Sequence, residues 1–438
     1  MNEVITINIT KKYPFYLGLF YPFVICFGLF FPRGTSTTLY IITSFGILVY
    51  EYVIRRNRLH LSVVLSFLFF MFMVFYSLLN SGLRNVQINY IAFNYFFTGS
   101  IISLTIIAAI RYQRIRFIYF TKGLLYMISA IALLSLIDYF IAKIFRIELI
   151  SSAYDMIIGY RPGKKMSTIA HIRLAGTMGN PNYLAIVFLT AFSILLGLFN
   201  EQRQKKRIWV LFYLMVTSIV FTGTRTVVAA MILMVFLFMI IKGLSKKYTD
   251  LSKFILYNLI IILTTIIMLS FSTFFTSEII RLPEFINRYT DLSITLNTAD
   301  QNRGELWSAY IHNIIDNETG ILFGYGFANY FDIGRKPHNT YLRSILDFGF
   351  IGGILFITYF INLVLRLFHL NLKNSENPEY AVAFFSMSAL LVSCLGNDYI
   401  DFRIFWVTLG IALSVLKIEQ EPKYYTKSQY HPIRCFQN

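Results

Sequence analysis

The stretch IWVLFYLMVTSIVFTGTRTVVAAMILMVFLFMII, residues 208–241, carries a single charged side chain, Arg225. A bilayer core about 30 Å thick is crossed by about 20 helical residues rising 1.5 Å each, so the stretch is material for two short crossings. Gly223, Thr224 and Arg225 divide it, and the residues allow either two helices meeting in a tight turn or one interrupted pair. The rest of the chain has the same character. Of 438 residues, 56% are hydrophobic and only 14% charged, with a mean hydropathy of +0.61. A soluble domain carries about 25% charged residues, so this chain cannot cover a normal aqueous surface. It reads as an all-α polytopic membrane protein.

Working outward, apolar stretches of similar length fall at 15–31, 37–54, 61–79, 90–110, 120–142, 183–199, 208–222, 227–241, 254–275, 350–368, 381–395 and 402–416. That predicts about 12 transmembrane helices in a single bundle over residues 1–416. Basic residues cluster in alternate connections, as in Arg55, Arg56 and Arg58, or Arg203, Lys205, Lys206 and Arg207. The short turns between them hold one each: Arg33, Arg84, Arg225 and Arg403. By the positive-inside rule the clustered side is cytoplasmic, which puts both termini and the tail 417–438 inside. The first apolar run has no small-residue cleavage pattern behind it and is expected to stay.

Two long segments, 143–182 and 276–348, then fall outside, the larger between predicted helices 9 and 10. Both carry basic residues, among them Arg161, Lys164, Lys165 and Arg173 in the first. Long translocated loops escape the charge rule, so cations are permitted there without being explained. Leu306, Trp307, Tyr310, Ile311, Ile314 and Ile315 follow helical spacing and predict an amphipathic helix in the second. Either packing on the bundle or guidance of lipid at headgroup depth accounts for Trp307 and Tyr310. The Gly-rich, aromatic run from Gly320 to Gly334 has no Lys-Ser or Lys-Thr after it and is not a nucleotide loop.

The net charge of +17, set against the apolar excess, points to anionic lipid or phosphate partners and not to nucleic acid. Three Cys are too few for a disulfide scaffold, and Cys26 and Cys394 lie in apolar runs as small buried hydrophobes.

Chemistry concentrates in a few residues. His338 lies in Arg335-Lys336-Pro337-His338-Asn339, just before an apolar run, with Tyr341 close behind. Imidazole accepts a proton near neutrality, and neighbouring cations favour its neutral form. A general base and a structural hydrogen bond both fit, whereas no partner stands at metal-ligand spacing. Arg225 reads either as a surface turn residue or as a guanidinium clamping phosphate through its two-donor fork. Arg173 precedes Gly179-Asn180-Pro181-Asn182-Tyr183, which is helix-start chemistry. Arg303 opens the amphipathic helix. Asp398, Asp401 and Arg403 share one turn. Asp401 is placed to cap the last helix, leaving Asp398 as the acid of interest.

Together these pieces resemble the family of O-antigen ligases and Wzy-type polysaccharide repeat-unit polymerases. The resemblance is carried by His338-Asn339 followed, after nine intervening residues, by Gly349 and then Gly352, by Arg173 with Gly179-Asn180-Pro181-Asn182-Tyr183-Leu184-Ala185, by Thr224-Arg225, and by Arg303 with Trp307. It covers roughly residues 170–400. It implies a glycosyltransferase of the bacterial inner membrane whose donor is a glycan on undecaprenyl diphosphate, working without metal, cofactor or nucleotide sugar. His338 would serve the acceptor hydroxyl as base or positioner, and Arg173, Arg225 and Arg303 would engage the diphosphate. Asn339, Arg335, Tyr341 and Asp398 stand beside them as further candidates.

A polymerase, whose acceptor is a second lipid-linked repeat unit, is the reading the Gly-Asn-Pro-Asn-Tyr-Leu-Ala stretch favours, and it would imply a chain-length regulator as partner. The alternatives are a ligase acting on lipid A–core and a flippase for the same lipid-linked glycan. The flippase is disfavoured by the lack of a two-halves repeat.

Overall fold

The computed structural model describes residues 21–22, 24, 35–49, 68–69, 71–79, 90–111, 116–145, 173–176, 180–199, 205–244, 303–316, 322–326, 337–374 and 377–416. Every regular element among them is a helix. Those with both ends defined are α1 (Thr35–Val49), α2 (Tyr90–Arg111), α3 (Phe117–Phe145), α4 (Pro181–Leu198), α5 (Lys205–Thr222), α6 (Arg225–Leu244), α7 (Arg303–Asp316), α8 (Thr340–Lys373), α9 (Pro378–Ser393) and α10 (Arg403–Val415). Residues 71–79 are helical as well.

The expectation of about 12 membrane helices is corrected here. Among the described residues five helices are long and apolar enough to cross a membrane: α2, α3, α4, α6 and α8. The physical reasons are visible in the others. α9 and α10, at 16 and 13 residues, are shorter than a bilayer core requires. α5 opens on Lys205, Lys206 and Arg207. Nor is a large loop placed between the predicted ninth and tenth helices: 254–275 lies outside the described residues, and the described part of 276–348 is largely helical, as α7 and the start of α8. The stretches expected at 15–31 and 254–275 lie wholly or largely outside the described residues, as does the tail 417–438, and the one at 61–79 is described at 68–69 and 71–79. What stands is a multi-pass helical membrane protein.

The side chains follow the inverted logic of such a protein. Leu133, Leu134 and Ile137 on α3, Ile232 and Phe236 on α6, and Ile354, Leu355 and Leu365 on α8 are exposed, which suits contact with lipid tails. α4 is the opposite case, buried without interruption from Leu184 to Leu198. It packs against α3, α5, α6 and α9 and forms the centre of the bundle. Lipid tails give helices no hydrophobic reason to associate, so close packing and interhelical hydrogen bonds must hold the contact. Both occur. Gly197 lets α9 approach until a Cβ there would stand 2.4 Å from the Val382 nitrogen. Ser103 on α2 donates to the Trp406 carbonyl on α10 at 2.6 Å.

The division at Gly223 resolves into two helices, α5 and α6, with Gly223 at φ +61° in the tight turn between them. The helix expected from Phe350 begins at Thr340, and it is broken. Gly349 adopts φ 68°, ψ −178°, a conformation open in practice only to glycine. Carbonyls on either side of such a break lose helical donors and need replacements. The 322–326 segment supplies them: Tyr325 N donates to Leu346 O at 2.7 Å and Gly326 N to Asp347 O at 3.0 Å. The fit is close, because a Cβ at Gly349 would lie 2.3 Å from Leu322 O. α8 is therefore a nine-residue half-helix, Thr340 to Phe348, joined to a membrane-length helix.

Candidate functional site

The functional candidates are assembled by caps and turns. Asn180 caps α4 by accepting from Asn182 N, with Pro181 at the first helical position. Arg173, half-buried, reaches over this helix start. Its Nε donates to Thr222 O at 2.7 Å, and its Nη2 donates to Asn182 Oδ1 at 2.7 Å and Thr224 Oγ1 at 2.9 Å. The Thr224 hydroxyl also lies 3.1 Å from Asn182 Oδ1, and Leu174 N donates to Phe221 O. One guanidinium thus fastens the start of α4 to the turn that presents Arg225. Arg225 itself is half-buried at the first position of α6.

His338 stands at a second helix start. It is the one non-glycine residue with positive φ among the described residues, at +51°. Asn339 caps α8, its Oδ1 accepting from Tyr341 N and Leu342 N. Trp307 on α7 donates its indole N–H to Pro337 O at 2.8 Å. Tyr310, one turn on, is 1% exposed, so the packing explanation of this helix holds for it. Arg303 is the first residue of α7. Its side chain, and all of Arg335, lie outside the described residues.

The turn from Cys394 to Phe402 joins the two helix starts. On the α8 side, Thr340 N donates to Cys394 O at 3.0 Å, Asn339 Nδ2 to Leu395 O at 3.1 Å, and Thr340 Oγ1 to Asn397 O at 3.0 Å. On the other side, Asn397 Nδ2 donates to Thr226 Oγ1 at 3.2 Å. Tyr399 OH donates to Asn182 O at 3.3 Å, and Tyr183 stacks on Phe402 with centroids 5.0 Å apart. Only Asn397 stands between Thr226, next to Arg225, and Thr340, two residues past His338. Arg173, Arg225 and His338 therefore gather at one end of the bundle. Tyr341 donates its hydroxyl to Leu391 O at 2.7 Å.

Asp398 has a different occupation from the one expected. Arg343, 1% exposed, donates Nη1 to Asp398 Oδ2 at 2.6 Å and Nε to Asp347 Oδ2 at 3.1 Å, and Asp401 Oδ2 lies 2.8 Å from the same Nη1. All three acids are buried or nearly so. Asp401 is likewise not the cap of α10: the cap position is Phe402, with no side-chain hydrogen bond. Arg343, which falls within the 276–348 segment expected to be an outer loop, is the residue that the sequence alone does not single out. The spacing of Arg343 and Asp347, four apart, was the one local signal.

Compared with known proteins, residues 210–357 match the family model described as O-antigen ligase. That stretch, about a third of the chain, is what is similar to the O-antigen ligase family. It runs from α5 past the break in α8 and contains Thr224, Arg225, Arg303, Trp307, His338, Gly349 and Gly352. Arg173 and the Cys394 to Phe402 turn lie beyond its ends. No curated protein matches the chain.

Proposed function

We propose that this protein is an O-antigen or capsular polysaccharide polymerase that transfers a glycan from undecaprenyl diphosphate to the nonreducing-end sugar of a second lipid-linked repeat unit. The observation that carries the reading is the gathering of His338, Arg173 and Arg225 at one end of a membrane bundle whose matched stretch is similar to the O-antigen ligase family. In the reaction the bond from the anomeric carbon to the diphosphate oxygen breaks, and its electron pair leaves with the diphosphate. The acceptor hydroxyl oxygen forms the new bond from the opposite face, so the anomeric centre inverts, and its proton passes to the imidazole of His338. Charge grows on the leaving oxygen as the bond stretches, so fixed guanidinium groups stabilise the transition state more than the ground state. Arg225 and Arg303 bind the diphosphate. Arg173 adds its charge while its hydrogen bonds hold the Thr222 to Thr224 turn in place. The site faces the periplasm, with both termini cytoplasmic, as the distribution of basic residues supports.

A ligase is the second reading, favoured by the family's own description. Surface glycan from a deletion strain separates the two. Loss of the ladder with one repeat unit still attached identifies a polymerase, and loss of all attachment to lipid A–core identifies a ligase.

The Arg225 assignment has its own test. A lysine keeps the charge but not the planar two-donor fork. Arg225→Lys is expected to lower kcat/KM for the lipid-diphosphate donor by about 10-fold to 100-fold, the loss of one charge-assisted hydrogen bond. Wild-type turnover in purified Arg225→Lys would leave Arg225 as a turn residue at the surface.

A further inference from the structure

We propose that Trp307 is a positioning residue for His338, an inference that rests on the reading above in which His338 takes the acceptor proton. A left-handed conformation in a residue with a Cβ persists only where the surroundings over-determine it. Around His338 the restraints come from two directions. After it, Asn339 Nδ2 and Thr340 N donate to Leu395 O and Cys394 O of the turn between α9 and α10. Before it, Trp307 Nε1 donates to Pro337 O at 2.8 Å, at the peptide bond that leads into His338. That second restraint comes from a helix thirty residues upstream in the chain, seated by Tyr310 and by the half-buried Leu306. α7 thus reaches the residue next to the histidine through a directional contact, the indole N–H on the Pro337 carbonyl.

The helix has a further property. Arg303, assigned above to the diphosphate, is four residues before Trp307 on it. A displacement of α7 when donor binds would reach the Pro337 carbonyl through the indole, so donor binding and imidazole placement are linked by one rigid element.

The test is a double-mutant cycle on purified full-length protein with a lipid-diphosphate repeat unit as both donor and acceptor. Trp307→Phe keeps an aromatic ring and removes the donor. In the wild-type background it is expected to lower kcat about tenfold, the scale of one hydrogen bond, with KM within about twofold. His338→Ala is expected to lower kcat by about 100-fold or more. Adding Trp307→Phe to His338→Ala is expected to change nothing beyond about twofold, because a residue acting through the imidazole has nothing left to position. An equal fall in both backgrounds overturns the inference and leaves Trp307 as packing. So does a Trp307→Phe enzyme of wild-type rate beside a crippled His338→Ala, which spares the function proposed for His338. Full activity in His338→Ala sinks that function and this inference together. Should Trp307→Phe not fold, benzothienylalanine at position 307, which swaps the N–H for sulfur within the same ring outline, enters the same cycle with the same expected results.

Discussion

Arg343→Met is expected to destabilise the protein by about 3–5 kcal/mol, the usual cost of removing one partner from a buried ion pair. The guanidinium holds Asp347, Asp398 and Asp401 at 2.6–3.1 Å, and no member of the group is more than 9% exposed. Without it, three carboxylates remain where water cannot solvate them. The group also ties the first half of α8 to the turn that carries Asn397 and Tyr399, so its loss loosens the contact between the two helix starts. Size-exclusion profiles and melting curves of the detergent-solubilised protein check this, with most Arg343→Met material expected in the aggregated fraction. Arg343→Lys keeps the charge but cannot reach three acids through a planar fork, and should fall between. A fully folded Arg343→Met protein with an unchanged melting temperature would show that the acids are held in some other way.

His338→Ala is expected to reduce glycan transfer by about 100-fold or more while the folded protein accumulates as before, since general-base assistance contributes about 10²–10⁴. The imidazole is half-buried at the mouth of α8, and the cap of that helix is Asn339. A rate measurement on donor and acceptor lipids in detergent reads the effect directly. Transfer at the wild-type rate would take the histidine out of the chemistry and leave it as a residue of the turn.

How much of this was legible beforehand depended on how far apart the interacting residues lie in the chain. Local signals read well. The cap at Asn180 with Pro181, the division at Gly223 and the helix opening at Arg303 are all encoded within a few residues, and all three occur as helix boundaries. Hydropathy placed the start of α8 ten residues late, because it registers Arg343 and Asp347 as polar. The Arg343 guanidinium is paired with Asp398 as well as Asp347, and Asp398 lies 55 residues downstream, where no window of sequence contains it. The same distance hid the role of Asp398 and left Asp401 looking like a cap. Gly349 is conspicuous in the sequence as part of the histidine motif. Its reason is a helix break filled by the 322–326 segment, and that complement is visible only in three dimensions. The count of spans failed for a different cause. Apolar composition marks α9 and α10 without revealing that each ends too soon to cross a bilayer.

The candidate site shows the same division. His338, Arg173 and Arg225 were legible as residue types in suggestive company, while their convergence depends on Asn397 and Tyr399, which carry no signal of their own. Trp307 was noted for its place on an amphipathic face, and its bond to Pro337 gives it a more specific position.

Reconstitution of the purified protein in vesicles with a radiolabelled lipid-diphosphate repeat unit, with the products resolved by size, measures the proposed transfer most directly. Lipid-linked glycans that lengthen by whole repeat units, each new bond inverted at the anomeric centre and matched by one released undecaprenyl diphosphate, are the predicted result. Labelled lipid crossing the bilayer with no new glycosidic bond would contradict it.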